Sequence, residues 1–490
     1  MEKNRMWFWG IMVACLLLSS WWLIQNNLLF HSDVGRDMYL LKDIVDNRHL
    51  TLIGPRSSLS GFFHGPLWLY ISLPVFLIGA GNPVVMAIFW LILLILSWWL
   101  VYQTGRRMTD ETTAMVATVL VGSATILNSH ATINSYGAVI IFPLFYYCFG
   151  EYIRTKKTKY LGLGLLVGGA MVQFEIVFGL PMLSVLIIYS VFEIFRSRKW
   201  RNMWIYMLLL VPFSTYLIFD LRHEWIQTKA VLGMSGDFSA FNWPDMINWW
   251  KLMTGNKILA WFAVIGVIWV SLIKFKNRNN EYDSWWLWGG TVVVLWGVLM
   301  VMKIESVDFY YLPLISAMAM MIACLKNYFN KRLYWVLIVS IVSVNLIRAV
   351  KDTVNYSRDV NRQDQATWLA NVEAGNWVVD HCGNNFGYFV YSSDLYGYSL
   401  RYMMDHLKIK EDVIGDLNVK KEITCLLMGP NSIENNWSRE TWRESDVKIK
   451  TKPAELKLFG NGILVEKYIL SAEEQKIAPN PFLIKDAAFR

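Results

Sequence analysis

Apolar runs alternate with short polar connectors over the first 350 residues, at 7–24, 83–103, 112–129, 136–150, 160–173, 175–195, 203–220, 258–273, 284–302, 310–325 and 333–350. A helix needs about 17–25 mostly apolar residues to cross a bilayer, and these runs meet or approach that length. They predict about eleven membrane spans. A further apolar stretch, 66–81, is broken by Pro74. Counting it as a span would invert the orientation of everything after it.

Basic residues decide between the two topologies. They collect at Lys3/Arg5, Arg106/Arg107, Arg154 to Lys159, Arg196 to Arg201, Lys274/Lys276/Arg278 and Lys326/Lys331/Arg332. If 66–81 does not cross, all six patches fall on one side, which the positive-inside rule makes cytoplasmic. The stretch 66–81 then reads as an interfacial or re-entrant segment inside a first outer loop, 25–82. The N-terminus is expected inside and the C-terminal part outside. The first run is expected to be retained rather than cleaved, since no Ala-x-Ala-like site follows it and Trp21-Trp22 form an interfacial belt.

From about 351 the pattern becomes polar and mixed. Residues 1–350 are therefore expected to form a transmembrane domain and 351–490 a small extracytoplasmic α/β domain. Strand-like runs occur at 377–380, 423–428 and 456–469, the last with a hairpin signal at Phe459-Gly460-Asn461-Gly462. Of the five cysteines, Cys15, Cys148 and Cys324 lie in apolar runs and read as packing residues. Cys382 and Cys425 both fall in the outer domain, where an oxidising compartment permits a disulfide.

Composition agrees with this plan. The 490 residues are 55% hydrophobic and only 17% charged, below the roughly 25% charged residues of soluble chains, and the mean hydropathy is +0.34. A formal charge of +8 does not point to nucleic acid, because the basic residues are spread over the membrane-edge patches.

The chemistry concentrates on the other side. His31-Ser32-Asp33-Val34-Gly35-Arg36-Asp37 follows the first span, and the same loop carries Arg56 and His64. Other outer turns carry Asn134, Glu175, Arg222/His223 and Lys303 with Tyr310; the outer domain adds Arg401 within a tyrosine-rich stretch. Ionisable groups at a bilayer are costly and mark function. Arginines bind phosphate bidentately, and a carboxylate can deprotonate a hydroxyl. Sugar transfer from a lipid-linked phosphate requires both.

The segment His31–Asp37, with Leu52-Ile53-Gly54-Pro55-Arg56 and His64-Gly65-Pro66-Leu67, resembles the first outer loop of GT-C superfamily glycosyltransferases. It is closest in style to the protein O-mannosyltransferases and the lipid A aminoarabinose transferases. Phe219-Asp220-Leu221-Arg222-His223 and Gln173-Phe174-Glu175 resemble a bacterial subgroup of these enzymes. The resemblance covers about 1–350. It implies a GT-C-like polytopic membrane fold, a polyprenyl-phosphate sugar donor, a glycan, lipid or protein acceptor, and inverting transfer.

On this resemblance Asp33 is the expected general base. Asp37 would orient it, join a metal or pair with Arg36. Arg56, Arg222 and Lys303 would hold donor phosphate, while Arg36, His64, Asn134, Glu175, His223, Tyr310 and Arg401 would contact substrate. Many members carry a second acidic motif in the next outer turn, but 128–135 offers only amides, hydroxyls and His130. That departure favours a mechanism that requires no cofactor, with a divalent metal not excluded. His31, Asp33, Asp37 and His64 have no compact zinc spacing.

Each residue also has a structural reading. Asp33 and Asp37 would share one face of a solvated surface helix, Arg222, His223 and Lys303 would anchor a span at the interface, and Glu175 would be a buried hydrogen-bond partner. Rival functions are a polymerase or ligase of lipid-linked glycans, a secondary transporter or flippase, and a non-catalytic scaffold. Nearly charge-free mid-spans, no visible repeat and a large terminal domain disfavour transport.

Overall fold

The computed structural model describes residues 2–57, 61–129, 132–233, 244–276, 283–302, 308–358, 367–393, 396–431 and 438–483. All eleven expected apolar runs lie in helices. Among the described residues, eight of these are long and apolar enough to cross a membrane: Arg5–Ile24, Pro83–Met108, Tyr136–Thr155, Ile176–Ser197, Trp200–Arg222, Lys257–Lys276, Phe309–Asn327 and Lys331–Tyr356. The other three runs lie in Glu111–Thr125, Thr158–Phe174 and Ser284–Met302, helices of 15, 17 and 19 residues packed among them. The chain is a multi-pass membrane protein.

Small residues set the closest helix approaches. A Cβ on Gly169 would lie 2.3 Å from Pro212, and one on Gly168 would lie 2.9 Å from Leu183. This is the small-residue packing that membrane helices favour. Cys15, Cys148 and Cys324 are buried and unbonded.

The stretch 66–81 forms a helix of 12 residues, Leu67–Ile78. At about 1.5 Å per residue it is too short to cross alone. Trp68 stacks on Trp90 of the neighbouring span at 3.7 Å. Ahead of it, the acidic cluster opens a second short helix, Ser32–Asp46. The imidazole of His31 accepts from the Asp33 amide, capping the helix, and Asp33 sits in its first turn, where a negative charge complements the helix dipole.

Beyond Lys331–Tyr356 the chain folds into a five-stranded sheet of order β2-β1-β3-β5-β4, with β1 Asn385–Tyr391, β2 Ile414–Leu417, β3 Ile423–Met428, β4 Glu455–Leu458 and β5 Leu464–Ile469. β1 pairs in parallel with β2 and β3, while β5 is antiparallel to β3 and β4. The β4–β5 connection is the expected Phe459–Gly462 turn. The expected strand at 377–380 is instead part of a helix, Trp368–Cys382. Its β-branched pair Val378-Val379 suits a strand, but buried Ala370, Ala374, Trp377 and Val378 recur at helical spacing, and Thr367 caps the start. Cys382 and Cys425 are disulfide-bonded, tying that helix to β3.

This domain docks on the first loop through its helix Tyr398–Glu411. A Cβ on Gly35 would lie 2.7 Å from the backbone nitrogen of Ser399. One turn further on, the Tyr39 hydroxyl donates to Asp405 at 2.8 Å, and Tyr402 donates to the Gly81 carbonyl at 2.7 Å. A backbone bridge joins Leu29 to Thr367.

Gly35→Ala is expected to destabilise the protein by about 1–3 kcal/mol, because backbone cannot move aside as a flexible side chain would. Gly10, with nothing within 4 Å of its added Cβ, is the control. Thermal unfolding of the two purified variants in detergent should show a loss for Gly35→Ala and none for Gly10→Ala.

Candidate active site

A cavity of about 490 Å³ lies where the two short helices, the span ends and the terminal domain converge. The helix Ser32–Asp46 supplies Ser32, Asp33 and Arg36, and the loop before Leu67–Ile78 supplies Arg56, Ser57 and His64. The turn 133–135 supplies Asn134 and Ser135, the next turn supplies Glu175, and Phe309 and Tyr310 begin a later span. Tyr396 and Tyr398 of the terminal domain complete the lining and stack on one another at 5.2 Å.

The loop holding Arg56 and His64 is fixed by main-chain bonds. Gly54 N donates to His64 O at 2.8 Å, His64 N to Pro55 O at 2.9 Å, and Arg56 bridges to Phe63. Gly65 N then donates to Gln173 O at 3.0 Å. A Cβ on Gly65 would lie 1.8 Å from the Gln173 side-chain oxygen, so any larger residue would have to displace the Gln173 amide. The Gln173 amide also donates to Thr215 at 3.1 Å. One glutamine thereby links the loop to the membrane bundle.

Arg36 is shared by two carboxylates. Its Nη1 lies 2.8 Å from Asp33 Oδ1 and its Nη2 2.9 Å from Asp37 Oδ1. The two acids differ in exposure: the Asp33 side chain is 57% exposed and that of Asp37 6%. Asp33 therefore faces the cavity, and Asp37 stands behind Arg36, with its Oδ2 buried beside the Trp68 indole in no hydrogen bond of ordinary geometry. Burial pushes the Asp37 carboxyl up to about 6, opposed by the Arg36 guanidinium.

Enclosure acts on the neighbours as well. Burial pulls the His64 imidazole down to about 4, and the charge of Arg36 adds to the shift, so His64 is neutral near pH 7. Glu175 caps Ile176–Ser197 by accepting from Val177 N at 3.3 Å, and it accepts from the Ser135 hydroxyl at 2.7 Å. Burial pushes its carboxyl up to about 7 against those two hydrogen bonds. Asn134 donates to Phe174 O at 2.8 Å, which ties the two turns together.

The structure thus gathers Asp33, Arg36, Arg56, His64, Asn134, Glu175 and Tyr310 around one cavity. Asp37 and Arg401 stand one layer behind. Arg401 is buried, with its guanidinium 5.8 Å from the Tyr39 ring centre and Nη1 3.4 Å from Tyr396 O. Arg222 and His223 are not in the lining. Arg222 is exposed at the end of its helix, and His223 bonds to the Phe219 carbonyl and stacks on that ring at 4.1 Å. The reason is local: Asp220, in the same turn, accepts from Gln227 N and Thr228 N and folds the chain back. Lys303 lies outside the described residues. Ser135 and the Tyr396–Tyr398 pair were not among the sequence-predicted site residues. The tyrosine-rich stretch is the one sequence signal for the pair, and Ser135 has none beyond its polar turn.

Residues 63–219 match the sequence profile of the dolichyl-phosphate-mannose-protein mannosyltransferase family, a stretch that begins beyond the Asp33 cluster. No individual curated protein matches the sequence. Among solved structures, the fold is similar to ArnT from Cupriavidus metallidurans bound to undecaprenyl phosphate, with a TM-score of 0.63, 9% identity, and 96% of this chain and 98% of that one covered. The apo state of the same protein gives 0.60 and 9%, with 95% and 98% covered. The apo Archaeoglobus fulgidus oligosaccharyltransferase aligns at 0.47 and 12%, over 81% and 64%. The profile match covers about a third of the chain, and the likeness to ArnT, at 9% identity, is a likeness of fold. That likeness of fold extends over nearly the whole length of both chains.

The depressed pKa of His64 has a consequence for acid stability. A base whose folded pKa lies below its unfolded value gives stability that is present above about 6.5 and lost as pH falls towards 4. Thermal unfolding followed from pH 7 to 4 should show a smaller acid-side loss in His64→Gln than in wild type. An identical loss in both proteins would place the acid sensitivity elsewhere.

Proposed function

We propose that the protein transfers a sugar from a polyprenyl-phosphate-linked donor to a hydroxyl-bearing acceptor at the outer face of the membrane, with inversion. The observation that carries this reading is a solvent-facing Asp33 on the wall of a cavity that also presents Arg36 and Arg56. The donor class is supported by the dolichyl-phosphate mannose in the matched family's description and by the undecaprenyl phosphate held by ArnT. The acceptor is a glycan, a lipid or a protein.

In the proposed step Asp33 takes the acceptor hydroxyl proton as the oxygen forms its bond to the anomeric carbon. The bond from that carbon to the phosphate oxygen breaks, and its electron pair leaves with the polyprenyl phosphate. Arg56, exposed within the lining, is placed to neutralise the leaving phosphate, as electrostatic stabilisation of developing charge requires. Arg36 holds Asp33 in position, and Asp37 from behind compensates the charge of Arg36. Tyr396 and Tyr398 offer ring faces to a sugar. Because the cavity carries its cations as arginines, the step is written without a metal, and activity is expected to survive EDTA.

Two features support the orientation. Arg154, Arg196 and Lys326 lie at the ends of helices whose opposite ends reach the cavity, and the Cys382–Cys425 bond belongs to an oxidising compartment.

Asp33→Asn, reconstituted with a panel of polyprenyl-phosphate sugars, is expected to lose transfer by about 10²–10⁴-fold, the usual range for a general base, with unchanged thermal unfolding. Transfer at the wild-type rate by the folded variant would remove this mechanism.

The topology has its own check. In intact cells, a membrane-impermeant thiol reagent should label Lys452→Cys in the terminal domain and leave Arg106→Cys untouched. The reverse pattern would place the cavity on the cytoplasmic side.

A further inference from the structure

A second cavity, of about 600 Å³, lies at the opposite end of the first helix, between Glu2–Ile24, Pro83–Met108 and Glu111–Thr125. Its walls are apolar and include Trp9, Val13, Leu16, Ile95, Trp99 and Met115. Trp9, Val13 and Trp99 are each more than half exposed, so the groove opens sideways from the bundle within the membrane-spanning zone. Its rim is polar: Arg5, Tyr102, Arg106 and Glu111.

The rim charges are unequally used. Glu111 is engaged twice, by Arg5 Nη2 at 2.9 Å and by the Tyr102 hydroxyl at 3.4 Å. Arg106 donates to the neutral Gln103 at 3.2 Å and lies 5.8 Å from the Tyr102 ring centre. Among the described residues it meets no carboxylate. Two arginines and one glutamate leave the rim with a net positive charge directly above an apolar slot.

We propose that this groove holds one anionic membrane phospholipid, with an acyl chain against Trp9, Leu16 and Trp99 and its phosphate at Arg106. The walls argue against a partner helix, since close helix association in a membrane needs small residues at the contact and this groove presents tryptophans. The site is separate from the catalytic cavity. Arg5 and Ile24 stand at opposite ends of one helix, roughly 28 Å apart at 1.5 Å per residue, and Asp33 lies beyond Ile24.

Native mass spectrometry of the full chain, purified in detergent and mixed with equal amounts of phosphatidylglycerol and phosphatidylcholine, tests the proposal without any activity assay. One phosphatidylglycerol should be retained in preference to phosphatidylcholine. Arg106→Ala should weaken that preference about fivefold, the effect of one cation at a membrane surface, and Arg106→Lys should keep it. Leu16→Trp, which fills the slot, should reduce retention of both lipids. Equal retention of the two lipids by the wild type, or a preference unmoved by Arg106→Ala and Leu16→Trp in variants that unfold at the wild-type temperature, overturns the proposal. A dimer in place of the lipid adduct overturns it as well.

Discussion

The helix Ser32–Asp46 touches the terminal domain on one face and lines the cavity with another, and the close approach at Gly35 fixes both. With the Ser399 backbone 2.7 Å from where a Cβ would stand, this helix can neither rotate nor slide without losing the contact. Successive residues turn by about 100° around a helix, so Gly35 and Tyr39 share the domain-facing side. Asp33 and Arg36 are turned into the cavity. The domain therefore acts on the site through the helix that carries the site, as well as through its tyrosines.

The charges at the cavity form a graded set. Arg36, with two carboxylates against it, cannot serve a substrate phosphate as freely as Arg56, which is exposed. Removing Asp37 would leave a largely buried guanidinium without its inner partner, the change that makes broken buried pairs costly. Enclosure keeps His64 neutral and raises Glu175 towards neutrality. The wall formed by Asn134, Ser135 and Glu175 thus presents hydrogen-bonding groups more than fixed charge, which suits sugar hydroxyls better than phosphate.

The molecule is polarised along its first helix. One end carries the cavity and the terminal domain, and the other carries basic patches and an apolar groove with a positive rim. The arginines at this end of the spans also supply the groove's charge. The positive-inside pattern that the proposed orientation rests on thus also underlies the proposed lipid contact.

The membrane helices were legible in the sequence because each must satisfy its own backbone and be apolar over a fixed length; all eleven runs fold as helices. The 423–428 strand, the hairpin turn and the Asp33 cluster were legible for similarly local reasons. The helix Trp368–Cys382 was misread at 377–380, because a short β-branched run carries the same signal whether it packs in a strand or on a helix face. The preference for Asp33 over Asp37 came from the resemblance, while the displacement of Arg222 and His223 by the Asp220 turn and the pairing of Ser135 with Glu175 across 40 residues were not legible. Local sequence sets which groups lie at a membrane edge. Which of them face each other depends on contacts between segments distant in the chain, and those arise only when the helices pack.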